Sequence, residues 1–222
     1  MNALLEKDVL ILIKQKKLFF IYLVSALMLS FAMDNSFVVT YFTMIGSLLV
    51  LTTISYDTFD NGMPFLMSLP VDGKTYAREK FLFSLIGLFA SWTAGVIAQF
   101  LSTILQHKEF DVLDMLSMDI AFVPIFLIIV SLMIPINLKY GAEKGRIVLM
   151  VLCGLIVGIG FLGKKLFSDY LTDPSKINLE YWIAKFSSIP KSVIVIAGFG
   201  IALVIYVVAM VISSGIMTKK EY

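Results

Sequence analysis

The sequence predicts an all-α membrane protein. Six transmembrane helices follow an amphipathic N-terminal helix, and a short apolar helix lies in the loop between spans two and three. Three observations predict this. Apolar residues make up 59% of the 222 residues and charged residues 15%, with a mean hydropathy of +0.92, the balance of an integral membrane protein. Six long apolar segments punctuate the chain, most of them near the ~20 residues a helix needs to cross hydrocarbon. None alternates polar and apolar residues as a barrel strand does, and lipid accepts only helices or closed barrels. Residues 1–222 read as a single transmembrane domain.

Residues 1–17, MNALLEKDVLILIKQKK, come first. On a helical projection Leu5, Val9, Leu12 and Ile13 share one face, while Glu6, Lys7, Lys14 and Lys17 gather on another. This pattern fits an interfacial helix leading into the membrane. A signal peptide cleaved near Ser30-Phe31-Ala32 is the competing reading, and the long acidic-and-basic leading region argues against it. The apolar segments are Leu18 to Met33, Phe37 to Ser55, Phe81 to Leu105, Ile120 to Leu138, Ile147 to Gly163 and Val193 to Ile216. The first and fifth are short for spans.

Lysine and arginine placement orients the chain. Twelve of them fall in the N-terminus, the loop between spans two and three, the loop after span four, and the tail. Six fall in the alternate loops, five of those spread through the longest one. The basic excess puts both termini in the cytoplasm. The outer side then carries the acidic stretch Gln106 to Asp119 and a long loop at 164–192. In that loop Leu179, Trp182, Ile183 and Phe186 recur at helical spacing after a capping Asn178. The Trp-bearing helix reads equally as an interfacial anchor or as part of an outer gate.

The cytoplasmic loop 56–80, YDTFDNGMPFLMSLPVDGKTYAREK, is the organising stretch. Charges crowd its two ends, yet residues 61–71 carry none. Phe59, Met63, Leu66, Met67 and Pro70 fall at helical spacing, with Pro64 suited to a first turn and Pro70 to an end. Met63 to Leu69 is therefore about two helical turns, too short to span. Two readings remain open for it: a helix resting in the membrane interface, or a docking helix for a soluble partner.

Several function classes lack their parts. The spans hold no ionisable residue in their central turns, where ion-coupled carriers place them; Gln99 and Asn137 are the strongest polar groups. The lone histidine, His107, has no cysteine or second histidine to complete a metal or hydrolytic site. No catalytic or metal-binding residue is assigned. The phosphate-loop pattern GxxxxGK[ST] is missing, so no ATP site is expected on this chain. A basic nucleic-acid footprint is also missing. The single cysteine, Cys153, reads as a small buried hydrophobe, and no intrachain disulfide is possible. Gly154 and Gly158 form a small-xxx-small step for close helix packing, within one chain or between two copies.

The order of these features resembles a bacterial ABC-2 transporter permease. Tyr56-Asp57 follows span two, and Leu69-Pro70-Val71 precedes Lys74 and Lys80 at the entry to span three. Span four ends at Pro135 and leads to Glu143-Lys144-Gly145-Arg146. Together they look like the small six-span subfamily that includes the membrane subunits of phenol-soluble-modulin exporters. The resemblance covers essentially the whole chain. It implies a non-enzymatic permease in the bacterial plasma membrane that pairs with a soluble ABC ATPase, which binds the ATP and magnesium. A second permease copy, preferably identical, and surrounding lipid would complete the export path, with amphipathic or antimicrobial-type peptides as substrate. Carried onto this chain, the coupling helix is Met63 to Leu69, and the ATPase-coupling residues are Asp57, Phe59, Asp60, Met63, Phe65, Leu66 and Met67. Glu143, Lys144 and Arg146 would make a secondary cytoplasmic contact, although topology alone also accounts for the two basic residues. Alternatives from other classes are an ATP-independent channel or carrier, a lipid exporter, and a membrane scaffold or immunity protein.

Overall fold

Helices account for nearly all of the computed structural model. It describes residues 1–32, 35–59, 62–107, 112–141 and 190–220, with 144, 145, 147, 148, 150, 151, 154, 155 and 158 between the last two ranges. Seven helices are continuous among the described residues: α1 (Asn2–Lys14), α2 (Lys16–Ala32), α3 (Asn35–Thr58), α4 (Gly62–Ser68), α5 (Gly73–Leu105), α6 (Val112–Tyr140) and α7 (Lys191–Lys219). Four of them contain stretches long and apolar enough to cross a membrane: Phe37–Thr58, Gly73–Leu105, Met115–Tyr140 and Ser192–Lys219. The first expected span corresponds to α2, an apolar helix of 17 residues. Most of the expected fifth span, Cys153 and the helix expected around Trp182 lie outside the described residues.

The bundle centre is the pairing of α3 with α5, flanked by α6, which in turn packs along α7. Glycines set the closeness of α3 and α5. A Cβ on Gly46 would overlap the Ser91 side chain, and one on Gly87 would overlap Val50. At Gly95 a Cβ would stand 3.0 Å from the Cα of Val39, where only backbone could yield. By contrast, a Cβ on Gly154 or Gly158 meets nothing within 4 Å among the described residues. The glycines that bring these helices together are thus a different set from the pair legible as a motif. Gly95→Val is expected to destabilise the bundle by about 1–3 kcal/mol, the usual cost of overpacking. Gly200→Val, whose added Cβ meets nothing within 4 Å among the described residues, is the control and is expected to stay within about 0.5 kcal/mol. Thermal unfolding in detergent compares the two.

Helix α3 carries hydroxyls through the membrane by satisfying them locally. Thr43 donates to the Val39 carbonyl at 2.7 Å, Ser47 to Thr43 at 2.7 Å, and Thr53 to Val50 at 2.8 Å. Each hydroxyl closes on the preceding turn, so none needs a partner across the lipid. Helix α6 ends on Gly141, whose φ of +81° is left-handed, with its N–H on the Asn137 carbonyl at 2.9 Å. That is an αL cap, and it makes the turn toward Lys144 tight. At the far end of α5, exposed His107 takes the same role with φ +50°.

One end of the bundle gathers α1, the loop 56–80, the end of α6 and the tail. Ion pairs join α1 to α3 and α5 there. Gly73 at the start of α5 lies against the Met217 carbonyl near the end of α7, and Lys220 donates to the Leu138 carbonyl at 3.0 Å. These are the segments in which the basic residues concentrate.

Candidate functional site: the helix between the second and third apolar segments

The site is a seven-residue helix, α4, hung between two long struts. Strut α3 ends at Thr58 and strut α5 begins at Gly73. Met63 and Leu66, three residues apart, share the inner face and are buried in the same apolar cluster as Leu4, Ile54, Tyr76, Ala77 and Phe81. Met67 packs partly against that cluster. Phe65 points the other way and is 69% exposed. Phe59, just before α4, is 71% exposed, and Tyr56 and Leu69 are also exposed. The loop therefore leaves four large side chains exposed, Tyr56, Phe59, Phe65 and Leu69, while Met63 and Leu66 are buried.

The expected coupling residues divide accordingly. Phe59 and Phe65 lie on the outward face, while Met63 and Leu66 hold α4 to the bundle. Asp57 is turned inward and nearly fully buried. Asp60, Glu143 and Arg146 lie outside the described residues, and Lys144 is exposed.

Asp57 belongs to a buried ion cluster that the sequence does not announce. Its carboxylate pairs with Lys7 of α1 and, at 2.8 Å, with Lys80 of α5, and it accepts the Tyr76 hydroxyl at 2.8 Å. Lys80 also pairs with Asp8 of α1 and donates to Thr53 at 3.3 Å. Lys7 lies 3.2 Å from Asp8, and Glu79 lies 3.9 Å from Lys80. The Tyr76 ring sits under both ammonium groups, 5.1 Å from Lys80 and 5.9 Å from Lys7, within cation–π range. Asp8, Glu79 and Lys80 are fully buried. Fully buried Lys80 and partly exposed Lys7 thus face three buried carboxyl groups, and both Glu79 oxygens lack a hydrogen-bond partner among the described residues.

This cluster changes the reading of α1. Its innermost residues are Leu4 and Asp8, whereas Val9, Leu10 and Ile13 are exposed. The apolar face seen on projection is only partly the face that meets the bundle, because Asp8 is drawn in by Lys80. Lys7 and Lys80, which the sequence offers as topology markers, are structural partners of residues 50 and 72 positions away. Two further buried polar residues lie nearer the other end. Asp119, expected in an outer acidic loop, is buried within α6, and neither its carboxylate oxygens nor the amide nitrogen of buried Gln99 on α5 has a hydrogen-bond partner among the described residues. Among the described residues no group of His, Cys, Asp and Glu has the arrangement of a metal site.

The geometry, then, is a short helix with an unpartnered apolar face, braced between membrane-crossing struts and tied to an N-terminal helix. Among curated proteins and among solved structures nothing matches the chain. A family model described as ABC-2 family transporter protein matches residues 3–218. That match covers the N-terminal helix, the braced loop and every long apolar helix. The chain belongs to the ABC-2 transporter family and is the membrane-embedded permease component of an ABC transporter, a family that works with an ABC ATPase.

Proposed function

We propose that α4 is the coupling helix of this permease and that its outward apolar face docks into a soluble ABC ATPase. The observation that carries this reading is Phe65, exposed on a helix whose opposite face, Met63 and Leu66, is buried. A two-turn helix with large apolar side chains on both faces needs a second surface to cover. The family supplies the class of partner. ATP would be bound and hydrolysed there, with magnesium, and closure of the ATPase would push α4 and re-tilt the struts α3 and α5.

In this reading the chain crosses the bacterial plasma membrane six times, α2 and the segment at 147–163 adding to the four long spans. Both termini and α4 face the cytoplasm, as the basic excess at that end of the bundle supports. Two identical copies form the path, and Gly154 and Gly158, with no close neighbour among the described residues, are available to a seam between them. Amphipathic peptides suit a path walled by apolar helices with few polar groups. Purification in mild detergent tests the assembly. An ABC ATPase is expected to co-purify, and so is a second, differently tagged copy of this chain. A strictly monomeric permease with the ATPase bound would exclude the homodimer. ATPase activity stimulated by lipid but not by amphipathic peptide would reassign the substrate.

Single cysteines in a Cys153→Ser background test the topology. Asn2→Cys, Asn61→Cys and Thr218→Cys are expected to react with a membrane-impermeant maleimide only after the membrane is opened. Lys176→Cys is expected to react on intact cells. Labelling of Asn61→Cys from outside would invert the orientation and remove α4 from reach of any cytoplasmic ATPase.

A further inference from the structure

We infer that the buried ion cluster is the clasp that ties α1 to the coupling loop, with Asp8 and Lys80 as its positioning residues. The inference deepens the proposed function and rests on α4 being the docking element. Three observations carry it.

The first is where the cluster bonds. Asp57 stands at the end of the strut entering α4, and Lys80 stands two turns into the strut leaving it. Two consecutive residues of α1 reach both struts, Lys7 to Asp57 and Asp8 to Lys80. A displacement of either strut therefore pulls on α1. The second is what else holds α1. Leu4 is its one buried apolar residue among those described, while Val9, Leu10 and Ile13 face outward. Attachment of α1 thus combines these ion pairs with half-buried Leu5, Ile11 and Leu12, and burial protects the Lys80–Asp8 pair from screening by salt. The third is what borders α1 beyond the clasp. An open apolar groove of about 320 Å³ among α2, α3 and α5, lined by Tyr22, Phe42, Leu49, Val50 and Ala90 among others, has Leu12 of α1 at its edge. Helix α1 is fastened near its middle by the clasp, one turn before Leu12.

The expected consequence is that α1 moves with α4 when the ATPase closes. The experiment uses the permease–ATPase complex with a single environment-sensitive fluorophore, in a Cys153→Ser background. One sample carries it at Leu10→Cys on the outward face of α1, another at exposed Ser68→Cys on α4. Each is read without nucleotide and after trapping with ATP and vanadate. Both probes are expected to respond. Asp8→Asn is expected to cut the Leu10 response by about tenfold while leaving ATPase retention and the Ser68 response in place, and Asp8→Glu is expected to restore it. A Ser68 probe that responds while Leu10 stays silent would overturn the clasp and leave the docking role of α4 standing. An undiminished Leu10 response in Asp8→Asn would do the same. Where Asp8→Asn yields no folded protein, the comparison of the two probes on the unmutated cluster decides alone. No ATPase retained by the unmutated chain would overturn the docking reading, and the clasp with it.

Discussion

Lys80→Met is expected to be among the most destabilising single substitutions in this permease. Lys80 is fully buried and, among the described residues, is the one group that reaches Asp8, Asp57, Glu79 and Thr53 together. Methionine fills similar space but leaves Lys7 as the one ammonium described beside these carboxyl groups, with Tyr76 still bonded to Asp57. Stranding a buried charge by removing its partner costs about 3–5 kcal/mol, far more than the pair itself contributes against an apolar replacement. In a chain of this size that corresponds to a fall on the order of 10 °C in the unfolding midpoint. Lys80→Arg retains the charge and is expected to fall by less. The double change Asp8→Leu with Lys80→Met removes a charge of each sign and is expected to recover much of the loss. Thermal unfolding monitored by size exclusion in detergent ranks the variants. A Lys80→Met protein as stable as the parent would mean that these groups are solvated.

Asp57 is expected among the ATPase-coupling residues, and at an exposed rim such a group would contribute a small, salt-sensitive term to docking. Buried and bonded to Lys7, Lys80 and Tyr76, it instead holds the strut in place, so Asp57→Asn is expected to act on stability with little salt dependence.

What is legible in the sequence follows from local pattern. The four long spans stand out because hydrocarbon demands uninterrupted apolar length, and α4 stands out because Pro64 and the apolar spacing are confined to a few residues. Its boundaries, Gly62–Ser68 against an expected Met63 to Leu69, differ by one residue at each end. The inward and outward faces of α4 are not separable from sequence, because Phe65 and Leu66 are adjacent and equally apolar. Only the tertiary position of the struts shows that Leu66 faces the core and Phe65 faces out. The ion cluster is illegible for a different reason. Its pairs join residues 50 and 72 positions apart, and no periodicity within one helix encodes such a pairing. The same holds for Gly46, Gly87 and Gly95. On α5, Gly87, Ser91 and Gly95 do recur at the small-xxx-small spacing, but nothing along one helix pairs them with Gly46 of α3; they let α3 and α5 touch, whereas the step at Gly154 and Gly158 touches nothing described.

Phe65→Ala is expected to weaken retention of the ATPase by roughly tenfold or more while leaving the permease intact. Fully burying a phenylalanine side chain is worth about 1.5–3 kcal/mol, aromatic hot spots reach higher, and each 1.4 kcal/mol is a factor of ten. Because Phe65 is 69% exposed in the isolated chain, its truncation opens no cavity there. Leu66→Ala is the informative contrast. Leu66 is 8% exposed and belongs to the same buried cluster as Met63 and Ile54, so its truncation is expected to cost about 2–5 kcal/mol of internal packing and to lower the yield of folded protein as well. Combining the two changes would confuse docking with folding, so the variants are best measured separately. Phe59→Ala, also at an exposed apolar side chain of the loop, is expected to weaken retention further when added to Phe65→Ala. If the face instead rests on lipid, Phe65→Ala lowers the loop's affinity for vesicles and leaves the ATPase bound as tightly as before. Co-purification of the ATPase with Phe65→Ala, normalised to the amount of folded permease, separates these outcomes, and full retention would remove α4 from the coupling path.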